Sequence, residues 1–218
     1  WAVADGMGGH EGGDWASAKL VEKIDAIDLP RSLDEARALV ADAIVEANRS
    51  ILVEARRRGK QMGSTIVVLL VQEQDYAILW VGDSRAYLLR DGELAQLSRD
   101  HTQVQEMVDR GILRAEDAVG HPMGHVLSRA VGVRDEMEIS QASGEVRPGD
   151  VFLLCSDGLH GYVDEAEIAR LLARGSPERA TEELVDLALA NGAPDNVTVV
   201  AIWASDPTLL SFPGMVKA

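Results

Sequence analysis

Short apolar runs dominate the pattern of this chain, and several of them run straight into an aspartate. Trp1 to Ala4, Thr65 to Val71, Ala77 to Val81, Val151 to Cys155 and Val197 to Trp203 have the length and residue types of buried strands. Ile66 to Val71 is far shorter than the ~20 residues a membrane-crossing helix needs. Asp91-Gly92, between Ala86–Leu89 and the alternating Glu93–Leu97, predicts a tight hairpin.

Helical spacing is equally plain. A helix is predicted from about Gly13 to Ile24. Ser32 and Glu35 form a capping-box pattern ahead of a long helix through Ala36, Val40, Ile44, Ala47 and Ile51, with Gly59 as its stop. Asp164 caps a third helix, and Ser176-Pro177 opens a fourth that Gly192 ends. Helices early and late, with hairpin-linked strands between them, predict an α+β fold in which helices cover packed antiparallel sheets. Residues 1–218 are expected to form one domain. The polar stretch from about His101 to Glu138 reads as an excursion from its core.

Composition narrows the function. A net charge of −15 argues against nucleic-acid binding, since a phosphate backbone calls for Lys and Arg well in excess of the carboxylates. Cys155 is the sole cysteine, which excludes an intrachain disulfide and a Cys-based zinc site. With no signal peptide or spanning segment in view, the expected location is the cytoplasm and no membrane partner is expected. The chain begins at Trp1, within a strand pattern, so a preceding strand is expected to be missing.

The carboxylates at strand ends carry the chemistry. Asp5, Asp83 and Asp157 each follow a buried run, and Asp195 precedes one. If the last strand runs antiparallel to the others, all four meet on one rim. Each alone reads equally as a turn or cap residue. Together they would repel one another unless a cation neutralised them, and clustered carboxylates with water suit Mg²⁺ or Mn²⁺. Asp5-Gly6-Met7-Gly8-Gly9-His10 leaves little bulk over such a site, whereas as a phosphate loop it lacks the third glycine of the dinucleotide fingerprint and any Gly-Lys-Ser/Thr.

Seven ordered segments resemble the metal-dependent serine/threonine protein phosphatases (PPM, type 2C) in their bacterial form. They are Val3–His10, Gly63-Ser64-Thr65, Val81–Tyr87, Leu97–Thr102, Leu127–Gly132, Cys155–Leu159 and Asp195–Thr198. The resemblance implies an αββα sandwich with two Mn²⁺ or Mg²⁺ ions and, in bacterial members, a third. It implies that Asp5 bridges two ions, that the Gly6 carbonyl binds the second, and that Asp157 and Asp195 bind the first. Asp83 matches a ligand of the third. The residues from His101 to Glu138 would hold the flap used in substrate selection.

The implied reaction is attack of a metal-activated water on a phosphoserine or phosphothreonine phosphorus, without a protein nucleophile, so Cys155 reads as inert core. Phosphoproteins are the implied substrates, with an opposing Ser/Thr kinase or its targets among the partners. Met7 stands where many eukaryotic members carry a histidine; His10, three residues on, is the alternative proton donor. His121 and His125 read as flap residues, since Pro122 and Gly124 oppose a helix. The segment expected before Trp1 would supply a phosphate-binding Arg and a further carboxylate. Two rival readings are a phosphatase-like regulatory module with little turnover and an unrelated carboxylate metallohydrolase.

Overall fold

A computed structural model describes residues 1–118, 120–174 and 176–205, apart from the side chain of His10. In chain order the elements are β1 (Ala2–Val3), β2 (Gly6–Met7), α1 (His10–Asp25), α2 (Leu33–Arg58), β3 (Gly63–Ser64), β4 (Ile66–Gln72) and β5 (Asp75–Val81). Next come β6 (Arg85–Arg90), β7 (Glu93–Gln96), α3 (Gln103–Asp109), α4 (Ala115–Ala118), β8 (Ser140–Glu145) and β9 (Val151–Cys155). The described chain closes with α5 (Asp157–His160), α6 (Glu165–Leu172), α7 (Pro177–Ala190) and β10 (Val199–Trp203).

Two four-stranded antiparallel sheets result, ordered β1-β4-β5-β8 and β10-β9-β6-β7. Between them pack Val3, Val67, Leu69, Ile78 and Trp80 from one side and Ala86, Leu88, Phe152 and Leu154 from the other. Tyr76 meets Phe152 edge to face at 5.0 Å. The alternate residues Ile66, Val68, Leu70, Leu79 and Val81 face outward beneath α1 and α2. Val151, Leu153 and Cys155 likewise face α5, α6 and α7. Strands covered on both faces need apolar residues at every position, so Ile66–Val71 of β4 and the whole of β9 are unbroken apolar runs. The layers are therefore αββα, as expected.

Local signals formed as their chemistry dictates. The Ser32 hydroxyl accepts from the Glu35 N–H at 3.4 Å, and Gly59 ends α2 in the left-handed conformation at φ 61°. Asp91 (φ 53°) and Gly92 (φ 85°) make the paired positive-φ turn that joins β6 to β7.

Three features depart from the predicted pattern. Helix α1 starts at His10 rather than near Gly13, taking Gly12 and Gly13 into its first turn. Strand β8 carries the polar sequence Ser-Gln-Ala-Ser-Gly-Glu and pairs with β5 through its backbone, so it has no apolar signature. The polar stretch after His101 contains α3, which Thr102 caps through the Gln105 N–H. No helix of the described residues is long and apolar enough to cross a membrane.

Candidate metal centre

The strand directions decide what meets. β10 runs antiparallel to β9, with Val199 opposite Cys155, and β4 pairs with both β1 and β5, with Ile66 opposite Val81. The ends of β1, β5 and β9 therefore share a rim with the start of β10. Asp5, Asp83, Asp157 and Asp195 all line one hollow of ≈ 610 Å³ on that rim. Asp14, from the first turns of α1, and His125 line it too, and neither was singled out as a site residue from sequence.

The ordered segments lace this rim together. The Asp5 carbonyl accepts from the Thr65 N–H (2.8 Å) and the Ser64 hydroxyl (2.9 Å), while the Asp5 N–H donates to Thr65 Oγ1 at 3.2 Å. Gly63-Ser64-Thr65 thus positions Asp5. Ser64 in turn exchanges two 2.9 Å backbone bonds with Val131, tying in the Leu127–Gly132 segment. A Cβ on Gly82 would lie 2.6 Å from Thr65 Cβ, which explains the glycine before Asp83. A Cβ on Gly158 would lie 2.3 Å from the Asn196 carbonyl oxygen, so the Asp157 and Asp195 loops touch through backbone. Gly6 has the same need: the first turn of α1 packs on it, beyond any requirement for an open approach to an ion.

Two histidines, His101 buried and His160 half-buried, brace Asp83. His101 stacks near Trp80, accepts the Gly82 N–H at Nδ1 (3.1 Å) and bonds Ser140 through Nε2 (3.0 Å). His160 Nε2 bonds the Asp83 carbonyl at 3.0 Å. A carbonyl acceptor requires Nε2 to donate, and burial pushes the imidazolium pKa of His160 down to about 4. Arg85 grips Asp100 with both Nε (2.9 Å) and Nη2 (2.7 Å), so this nearby cation is committed elsewhere.

Charge in the hollow is one-sided. Among the described residues five carboxylates line it and no Lys or Arg does. Burial, then the Asp157 and Asp195 charges, push Asp5 up to about 7. Burial, then Asp157, Asp100 and Asp5, push Asp83 up to about 7. Among the described residues no three acidic, His or Cys side chains are gathered tightly enough to enclose an ion. The donors are nevertheless the oxygen-only set that hard divalent cations take, and a cation is what their mutual repulsion lacks.

The profile of the protein phosphatase 2C family matches residues 1–197. The chain belongs to that family. It is 39% identical over 202 residues to the serine/threonine protein phosphatase PstP of Mycobacterium tuberculosis, covering 91% of this chain and 39% of that protein. It thus spans well under half the length of that relative. The Listeria innocua serine/threonine phosphatase Stp is 35% identical, covering 92% of this chain and 82% of its own. A PstP catalytic domain, solved in complex with two manganese ions, superposes with a TM-score of 0.83 at 36% identity, over 94% of this chain and 87% of that one.

In this phosphatase 2C chain the predicted residues divide as follows. Asp5, Gly6, Asp83, Asp157 and Asp195 are brought together. His10 opens α1, and its side chain lies outside the described residues. His121 sits in a turn, its Nδ1 accepting the Met123 N–H, while His125 reaches the hollow. Cys155 is buried beneath the C-terminal helices with its thiol pushed up to about 12 by burial, so it presents no thiolate.

Proposed function

We propose that this chain hydrolyses phosphoserine and phosphothreonine on proteins with the help of divalent cations, Mn²⁺ or Mg²⁺. The observation that carries the reading is the convergence of Asp5, Asp83, Asp157 and Asp195 on one hollow that, among the described residues, no Lys or Arg lines. Asp5, the Gly6 carbonyl, Asp157 and Asp195 would hold two ions, and Asp83 with Asp157 a third. When bound, such ions supply an activated water and neutralise charge on the phosphoryl group.

The chain's own part is positional. The Ser64 and Thr65 bonds hold Asp5 in place, and the Gly158–Asn196 contact fixes the Asp157 loop against the Asp195 loop. The Asn196 N–H donates to Asp195 Oδ1 at 2.7 Å, which holds the carboxylate at the edge of the hollow that it lines. His125, Val126 and Leu127 form one wall, which supports reading the residues from His101 to Glu138 as a flap beside the substrate. The short runs, the single buried thiol and the family relatives support a cytoplasmic protein that opposes a Ser/Thr kinase.

The test is phosphate release from a phosphothreonine peptide with Mn²⁺ present, with Asp157→Asn as the control. Turnover that needs metal and is lost in Asp157→Asn is the expected result. An inert protein in saturating Mn²⁺ would instead favour a regulatory module, and full activity in Asp157→Asn would remove that residue from the metal set.

A further inference from the structure

A second hollow, of ≈ 680 Å³, lies on the other side of the glycine turn that borders the carboxylates. Gly8 and Gly9 line both hollows. The second is lined by Arg58 and Lys60, with Glu11 as its one acidic residue among the described residues. Contact along the seam is close: a Cβ on Gly8 would lie 2.5 Å from the Gln61 carbonyl oxygen and 2.8 Å from Met62 Cα. A Cβ on Gly9 would meet nothing within 4 Å, so the seam is open there.

The charge at this place is unusual for the molecule. Arg56, Arg57, Arg58 and Lys60 fall within five residues of a chain whose net charge is −15. Arg56 pairs with Asp135, while Arg57 and Arg58 share the single carboxylate of Glu54. Arg58 is also held over the Trp15 ring at 5.6 Å. The arginines sit in the last turn of α2, where cations suit the helix end. Lys60 lies beyond the Gly59 turn, where that account fails. The lysines that form ion pairs among the described residues are Lys19 and Lys23, which leaves Lys60 uncommitted. An anionic substrate approaching an acidic protein is repelled except where a local positive field draws it in.

We propose that Lys60, backed by Arg58, forms a subsite for an anionic side chain flanking the phosphorylated residue of the substrate. The substrate class is then an acidic phosphopeptide, lying across Gly8 and Gly9 with its scissile phosphate in the carboxylate hollow. This rests on the phosphatase reading.

The experiment compares two phosphothreonine peptides, one flanked by glutamates and one by glutamines, as a ratio of kcat/KM within each protein. The ratio cancels differences in folded fraction among the wild type, Lys60→Gln and Lys60→Glu. The wild type is expected to favour the glutamate peptide about fivefold, the size of one or two exposed charge contacts. The ratio should fall to about one in Lys60→Gln and below one in Lys60→Glu. A third peptide, with phosphoserines as flanks, identifies whether carboxylate or phosphate fits better. An equal ratio in all three proteins overturns the subsite. Anisotropy titrations with the same labelled peptides read the subsite independently of turnover. Failure of hydrolysis with the binding preference intact would count against the phosphatase reading alone, and loss of the preference against this one.

Discussion

Gly6 and Gly13 face each other so closely that a Cβ on Gly6 would sit 2.1 Å from the Gly13 carbonyl oxygen, and one on Gly13 would sit 2.6 Å from the Gly6 oxygen. Both clashes are with backbone, which cannot rotate away. This approach presses the first turn of α1 against β2 and sets the position of the Asp5–Gly6 corner. Gly13→Ala should therefore cost about 2 kcal/mol or more, although alanine is the better helix former. A thermal melt at fixed pH checks it; an unchanged or raised Tm would contradict the clash.

Metal ligation and structural bracing separate by kinetics. Asp157→Asn should lower Mn²⁺-dependent turnover of a small aryl phosphate about a hundredfold or more, since even supporting residues of metal sites cost 10–100-fold. Asp83→Asn, which removes a ligand of the proposed third ion, should lower it less and raise the Mn²⁺ concentration needed for half activity. Equal losses in the two variants would place Asp83 with the two ions assigned to Asp5, Asp157 and Asp195 instead.

Stability of the EDTA-treated protein should fall as pH rises. Asp5 and Asp83 have folded-state pKa values raised to about 7 by burial and neighbouring aspartates. A raised acid binds its proton more tightly in the folded state, so its favourable contribution is complete below about pH 4. That contribution is lost as pH climbs through 7. The Tm should be several degrees higher at pH 5 than at pH 8, and Asp5→Asn should shrink the difference. Mn²⁺ should raise the Tm more at pH 8 than at pH 5. A Tm indifferent to Asp5→Asn at both pH values would mean that the carboxylate is not under this strain.

Asn48 anchors the return of the polar excursion to α2. Buried at 2% exposure, it accepts the Gly132 N–H at Oδ1 (2.6 Å) and donates from Nδ2 to the Arg134 carbonyl (2.9 Å). Asn48→Leu strands both backbone groups, at a cost of about 2–4 kcal/mol. Calorimetry should show that loss. Hydrogen exchange should speed up around Gly132, while the backbone near Arg90 stays protected.

Much of this was written in local chemistry. The apolar runs of β4 and β9, the Ser32 and Asp164 caps and the Asp91-Gly92 turn act over a few residues, so their residues alone predict them. Asp5, Asp83, Asp157 and Asp195 were legible because each sits where a buried strand meets the rim. The αββα order followed from where helices and strands fall along the chain. Tertiary structure decided the rest. That β10 opposes β9 brought Asp195 to the rim, and pairing with β5 made a strand of polar β8. The folding of the excursion put His125 into the hollow, and the first turns of α1 brought Asp14 there. The roles of Gly6, Gly13, Gly82 and Gly158 depend on atoms distant in the chain, so a glycine read alone could not distinguish an open loop from a close crossing. Sequence determined which groups could carry charge to the site. Their meeting, and the shifts in acidity that follow from it, depend on distances that exist only once both sheets have packed.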